Sequence, residues 1–187
     1  MQDELQIQYW MERVALFSDE AAYEKLFFHF NSDLFNLARC FVKEEPIAEE
    51  IVSDCFIHLW RNRSRLLEIS NIRVYLYVAI KNLCIKYLAR NKPVPDFNLN
   101  ELSLENVAAT ALSPEELMVS KEVLRQIQDA VDGLPPRCRL IFKLVREDGM
   151  KYRDISQLLN ISVKTIDAQM AIAAKKITQS LYFLLKK

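Results

Sequence analysis

Asp54 and His58 are the one pair of side chains placed for acid–base chemistry, since they lie one helical turn apart. No nucleophile or oxyanion-stabilising donor accompanies them, and the chain has no glycine-rich phosphate-binding loop. The cysteines lack zinc-ligand or redox spacing, which predicts buried apolar thiols in a reducing compartment. They are Cys40, Cys55, Cys84 and Cys138. The sequence therefore predicts a protein that is not an enzyme and that uses no metal or cofactor.

A second group of residues has the types and spacing of a DNA-reading surface. It falls on one face of a predicted helix and consists of Lys164, Thr165, Ala168, Gln169, Ile172 and Lys176. Lysines there can contact phosphates, and Thr165 and Gln169 can read base edges. Ala168 or Ile172 can touch a thymine methyl group. The alternative is that this face is the solvated side of a small helical bundle.

Three short helices are predicted to position that face, within the stretch from Leu134 to Lys176. Pro136 suits a first helical turn, and Gly149 ends the apolar repeat that follows. A second, short helix reaches Asn160, which tolerates the left-handed backbone of a tight turn. Ser162 is suited to cap the third helix. The inner face of the third helix is expected to be Ile166, Met170, Ala173 and Ile177. The whole is a helix-turn-helix pattern, whose last helix enters the major groove.

The charge distribution supports a polyanionic partner, although the chain's 25 basic and 25 acidic residues cancel. Residues 134–187 hold 11 basic and 4 acidic side chains, and residues 61–92 hold 8 and 1. By contrast, residues 1–60 hold 4 and 12, and residues 93–133 hold 2 and 8. Two basic blocks between acidic stretches are the electrostatic footprint of a nucleic-acid protein.

The first part of the chain predicts three longer helices, near residues 19–42, 46–61 and 72–90, after a loose or short amphipathic start. The second is apolar around nearly its whole circumference from Asp54 to Trp60, so it is either fully buried or docks a partner. The third interleaves basic groups with Tyr75 and Tyr77, a pattern that suits single-stranded nucleic acid. The alternative is that both tyrosines are core residues.

The predicted fold class is all-α, with two small helical domains at residues 15–92 and 113–187. Residues 93–112 are rich in proline, asparagine and acidic groups, and they read as a flexible linker. Ser113, Pro114 and Glu116 form a strong helix start after it. No signal peptide is visible, and no apolar run approaches the ~20 residues of a membrane span. We therefore expect a cytoplasmic protein without membrane insertion.

These passages together resemble a bacterial RNA polymerase sigma factor of the extracytoplasmic-function group. Residues 49–60 resemble the family's helix that docks on the polymerase clamp, with its Asp-x-Phe-x-x-x-Trp signature. Residues 75–88 resemble the helix that melts and reads the −10 promoter element. The stretch from Leu134 to Ile177, with its helix-turn-helix, resembles the domain that binds the −35 element.

The resemblance implies specific roles. The core polymerase would be bound by Asp54, Phe56 and Trp60. The single-stranded −10 element would be bound by Asn71, Arg73, Tyr75, Lys81 and Asn82, with a flipped base held near the loop before Ile72. The duplex −35 element would be bound by the helix-turn-helix face defined above. It also implies an acidic linker that runs towards the RNA exit path, and an anti-sigma partner, since family members are commonly held by one.

The sequence departs from the family at two positions: an arginine is usual near Ile172, and a glycine is usual at Asn160. The first departure leaves the −35 sequence open. Two other functions stay open on the residues alone. One is an operator-binding regulator whose helix-turn-helix acts as a dimer on palindromic DNA. The other is a helical adaptor that binds only protein and has no salt-dependent DNA affinity.

Overall fold

The computed structural model describes residues 2–91, 125 and 127–185. Regular structure in this part is helical, without a strand, which confirms the all-α prediction. The helices are α1 (Gln2–Phe17), α2 (Glu20–Arg39), α3 (Glu45–Arg61), a 3₁₀ helix (Arg63–Glu68), α4 (Ile72–Asn91), α5 (Pro136–Arg146), α6 (Tyr152–Leu159) and α7 (Val163–Leu185); residues 127–132 are also helical. The predicted linker at 93–112 and the predicted helix start at Ser113 lie outside the described residues.

Contacts divide the chain into two units, Met1–Asp96 and Phe97–Lys187. In the first unit, α2 packs against α1, α3 and α4, and α3 packs against α4. No helix in the described part combines the length and the hydrophobicity that crossing a bilayer requires.

The turn between α1 and α2 is built from local interactions. Ser18 adopts a left-handed backbone with φ 51°. Asp19 caps α2, because its carboxylate accepts a hydrogen bond from the Ala22 N–H (3.0 Å). Arg13 pairs with the same carboxylate at 2.8 Å. These two partners, the backbone N–H first, hold the pKa of Asp19 below its usual range.

The first unit is held together by the inward faces of four helices. The α1 helix is longer than the loose or short start that its sequence suggested, and it buries Met11 and Val14. The core also includes Leu26, Phe30 and Leu34 of α2, Val52, Phe56 and Leu59 of α3, and Leu76, Ile80 and Cys84 of α4.

The structure decides between the two interpretations of Tyr77 that the sequence left open, a surface residue among the basic groups of α4 or a core residue. Its side chain is 0% exposed, so it belongs to the core. Burial of a large aromatic ring is strongly favourable, which explains why the Tyr77 side chain packs in the core. Tyr75, two residues earlier, is 36% exposed and stays available on the surface.

The second unit has a smaller core in which α7 packs on α5 and α6. Val131, Leu134, Cys138 and Ala173 form one buried cluster, against which Ile127, Phe142 and Ile177 pack. Arg139 is buried beside it, where its guanidinium donates to the carbonyl groups of Asp132 and Leu134 and pairs with the Asp132 carboxylate. This arginine ties the end of the 127–132 helix to the first turn of α5.

All four cysteines are buried and unbridged, as their sequence context predicted. Burial raises the pKa of Cys55 and of Cys84 to about 12. Thiolate is the reactive form of cysteine, so these two thiols are poor nucleophiles near neutral pH.

We predict that Cys55 and Cys84 resist alkylation by iodoacetamide at pH 8 in the folded protein. Their thiolate fraction there is lower than that of an ordinary cysteine by at least about a thousand-fold. The measurement is residue-resolved mass spectrometry of the alkylated chain, with the urea-unfolded protein as the control that must react quickly. Equal labelling of the folded and unfolded states would contradict the prediction.

Candidate functional site

An aromatic cluster joins α2 to α3. The Phe56 side chain is 2% exposed, and its ring centroid lies 4.8 Å from that of Phe27 and 6.2 Å from that of Tyr23. The Tyr23 hydroxyl donates to the Phe56 carbonyl at 2.7 Å. Burial raises the pKa of Tyr23, so its hydroxyl stays protonated and serves as a donor. This cluster fixes the rotation of α3 about its own axis.

That rotation separates the three residues of the Asp-x-Phe-x-x-x-Trp signature. Phe56 points into the core. Trp60 is half-buried on the side of α3 that faces α2, with its ring centroid 4.8 Å from that of Tyr23. Asp54 is exposed and lies on the side that faces α4. The helix therefore presents two different flanks around one buried anchor.

A groove of about 690 Å³ runs between α3 and α4. Its lining combines apolar and charged groups: Asp54, Cys55, Ile57, His58, Arg61, Tyr75, Val78, Ala79, Asn82, Leu83 and Lys86. The groove thus brings together Asp54, predicted for polymerase binding, and Tyr75 and Asn82, predicted for −10 DNA. Exposed apolar surface beside two cations is suited to a base and its phosphates.

Of the other three residues predicted for −10 DNA, Asn71 and Arg73 form hydrogen bonds within the first unit. The Asn71 side-chain oxygen accepts from the Val74 N–H (3.1 Å) at the start of α4. The Arg73 guanidinium donates to Asp33 of α2 at 3.1 Å and lies 5.4 Å from the Phe30 ring centroid. Lys81 is half-buried, and this burial lowers its pKa. Lys81 is not among the side chains that line the groove.

The predicted tight turn of the helix-turn-helix is present in the second unit. Asn160 ends α6 in the left-handed conformation with φ 53° and ψ 50°. The Ile161 N–H donates to the Ser156 carbonyl (3.2 Å), and the Ser156 hydroxyl donates to the Ile161 carbonyl (2.6 Å). The Ser162 hydroxyl oxygen then accepts from the Thr165 N–H (3.0 Å), which is the predicted cap of α7.

The helix α7 presents the predicted reading face to solvent. Ile166 and Ala173 are fully buried beneath it. Four members are exposed: Lys164, Ala168, Ile172 (42% exposed) and Lys176. Thr165 and Gln169 are half-buried. The Thr165 hydroxyl lies 2.8 Å from that of Ser162, which restrains the threonine side chain. The backbone carbonyl of Gln169 accepts from the Cys138 thiol at 3.2 Å.

Comparison with known families places both units. Residues 26–94 match the family described as Sigma-70 region 2, and residues 124–177 match the family described as Sigma-70, region 4. The chain belongs to the sigma-70 family, in its extracytoplasmic-function group. As a sigma factor it directs promoter recognition, DNA melting and transcription initiation by RNA polymerase. A match to region 2 is not expected for a regulator that binds operator DNA without being a polymerase subunit.

Individual relatives of this sigma factor are distant in sequence but align with nearly its whole length. The chain is 23% identical over 193 residues to the ECF RNA polymerase sigma-E factor of Escherichia coli K12, with 100% of both chains covered. It is 24% identical over 188 residues to the RNA polymerase sigma-H factor of Pseudomonas aeruginosa, with 97% of both covered.

Two solved structures share its fold. One is CnrH in complex with the cytosolic domain of CnrY, with a TM-score of 0.53 and 17% identity over 96% of both chains. The other is the sigma factor RpoE with the anti-sigma factor NepR from Bartonella quintana, with a TM-score of 0.55 and 15% identity over 86% of this chain and 96% of that one.

Sequence reasoning missed two residues of the sigma factor's first unit, Tyr23 and Arg63. The Arg63 guanidinium carbon lies 4.8 Å from the centroid of the Trp60 ring. Arg63 follows Trp60 by three residues at the end of a helix, and this spacing could have suggested that contact. Tyr23 meets Phe56 across 33 positions of sequence, so no local pattern could have paired them. Among the described residues, no group of histidine, cysteine or acidic side chains is arranged to hold a metal ion.

We predict that Asn160→Val destabilises the second unit of the sigma factor by about 1–2 kcal/mol, because a β-branched residue is strained at positive φ. Asn160→Gly, the residue usual in the family, is expected to unfold no earlier than the original chain. Thermal unfolding followed by circular dichroism measures both. A valine variant as stable as the original would show that this turn does not need the left-handed conformation.

Proposed function

We propose that the first unit binds core RNA polymerase and captures the opened −10 strand, while the second unit holds the −35 duplex. The corresponding domains are residues 15–92 and 113–187, with 93–112 as the linker between them. The observation that supports the two roles of the first unit is the α3–α4 groove, in which Asp54 lies with Tyr75 and Asn82. One wall of the groove is the helix that resembles the clamp-docking element, and the other is the strand-reading helix.

On the polymerase side, we assign direct contacts to Asp54 and Trp60 because both have accessible surface. Phe56 contributes from beneath, since its buried ring sets how α3 presents its two flanks. Tryptophan is among the residue types most enriched at interface hot spots.

On the −10 side, an unpaired base would stack on Tyr75, and the Asn82 amide would read its edge. Arg61 and Lys86 in the same groove would meet the flanking phosphates. Asn71 and Arg73 would support the site by fixing the start of α4 and its packing on α2. Lys81 would add positive charge from its half-buried position. Base capture together with polymerase contacts would supply the free energy for strand opening, without nucleotide hydrolysis by this chain.

On the −35 side, the exposed face of α7 would enter the major groove. Lys164 and Lys176 would contact phosphates, and Ala168 and Ile172 would pack on thymine methyl groups. Thr165 and Gln169 would read base edges, and the Thr165 hydroxyl is already held beside that of Ser162.

The regulatory partner would be an anti-sigma factor, as for the RpoE relative that is bound to NepR. Proteins of the sigma family are not enzymes, and we propose the same of this chain. Its place of action would be the cytoplasm, where RNA polymerase and promoter DNA are found.

The polymerase role is tested by measuring the affinity of the full chain for core RNA polymerase. Replacing both Asp54 and Trp60 by alanine is expected to weaken binding by at least about 30-fold, since a hot spot contributes 2 kcal/mol or more. Trp10→Ala is a matched control, because it removes a half-buried tryptophan from α1. Circular dichroism verifies folding. A folded double variant that binds core polymerase as tightly as the original would overturn the assignment.

The −35 role is tested with the reconstituted holoenzyme on promoter DNA at several salt concentrations. Lys164→Ala is expected to lower the slope of log affinity against log salt by about 1, because one phosphate contact is lost. Gln169→Ala is expected to cost about 1–3 kcal/mol of discrimination between −35 sequences, with little change in that slope. Asp167→Asn, exposed on the same helix but off the reading face, is the control. Unchanged slope and discrimination in both variants would contradict the assignment.

A further inference from the structure

Arg63 connects the turn between α1 and α2 with the end of α3. Its Nε donates to the Ser18 hydroxyl at 2.8 Å, and its Nη1 donates to the Trp60 carbonyl at 3.1 Å. Its guanidinium carbon lies 4.8 Å from the centroid of the Trp60 ring. One side chain therefore joins the α1–α2 turn, the end of α3 and the start of the 3₁₀ helix.

The Ser18 acceptor is itself held in place. Its left-handed backbone, with φ 51°, forms the sharp turn between α1 and α2, and its N–H donates to the Val14 carbonyl at 3.1 Å. Arg63 is thus anchored to a rigid point outside α3. This anchor restricts the positions that the guanidinium can take over the indole ring.

Trp60 is the residue that this arrangement controls. Its indole is contacted by Arg63 and by Tyr23 of α2, which leaves it half-buried with a defined orientation. A lysine could not reproduce these contacts, because the planar guanidinium stacks on a ring while its separate N–H groups donate sideways.

We propose that Arg63 is a positioning residue for the polymerase interface, which holds the Trp60 indole in the orientation that core RNA polymerase binds. The proposal rests on the polymerase-binding role of Trp60 proposed above. Arg63 acts through Trp60 and through the Ser18 turn. Its neighbour Arg65 differs, since it is exposed and pairs with Glu68 one turn along the same 3₁₀ helix.

A double-mutant cycle on core polymerase affinity tests this role. Arg63→Ala is expected to weaken binding by about five-fold in the original chain, the effect of one cation–π contact and its hydrogen bonds. In the Trp60→Ala background the same change is expected to have no further effect, because its target is gone. Arg63→Lys is expected to rescue little of the loss, and Arg65→Ala is the matched control with unchanged affinity.

Ser18→Gly separates positioning from stability. Glycine accepts positive φ without strain, so this variant is expected to be at least as stable to heat as the original chain. It also removes the hydroxyl that anchors Arg63, so it is expected to weaken polymerase binding by about two-fold or more, again only when Trp60 is present. A readout that falls while stability holds cannot come from a merely structural role.

The outcomes distinguish the two proposals. If Trp60→Ala binds core polymerase normally, the proposed polymerase role of Trp60 fails, and this inference fails with it. If Trp60→Ala weakens binding but Arg63→Ala and Ser18→Gly do not, the positioning role alone is wrong. If Arg63→Ala weakens binding equally in both backgrounds, Arg63 contacts the polymerase directly and the positioning role is overturned.

Discussion

The packing of Phe56 against Tyr23 and Phe27 is the interaction on which the first unit's surfaces depend. A helix that is apolar around most of its circumference has no preferred rotation until one side chain is committed to the core. The buried Phe56 ring sets the rotation of α3, and the hydrogen bond from the Tyr23 hydroxyl to the Phe56 carbonyl stabilises it. The direction of Asp54 towards α4 and of Trp60 towards α2 follows from it, and so does the composition of the groove.

The second unit solves a similar problem with backbone geometry. Its reading face depends on the angle between α6 and α7, which the left-handed Asn160 and the Ser162 cap determine. Asparagine is one of the few residues other than glycine that adopt this conformation routinely, so it can replace the glycine that is usual in the family. The unit is a small one, and the buried Arg139 helps to hold its first helix against the preceding segment.

Local signals in the sequence predicted the features that local chemistry determines. The Ser162 cap, the Asn160 turn and the start of α5 at Pro136 all depend on residues within a few positions of one another. What the sequence could not predict depends on distant partners. The pairing of Arg73 with Asp33, which lies 40 positions away, had no local signal that could have predicted it. Periodicity alone did not distinguish the face of α4 that carries Tyr77 from that of Tyr75, so the sequence left the burial of Tyr77 open.

The α3–α4 groove has a thermodynamic consequence under the roles proposed for its two walls. With α3 on core polymerase and α4 on the opened strand, a conformational change of the groove would alter both affinities together. Linkage then requires reciprocity. If polymerase raises the affinity for the unpaired strand by some factor, the bound strand raises the affinity of the sigma factor for polymerase by the same factor. Promoter release would accordingly loosen the sigma factor as the strand leaves the groove, without a separate signal.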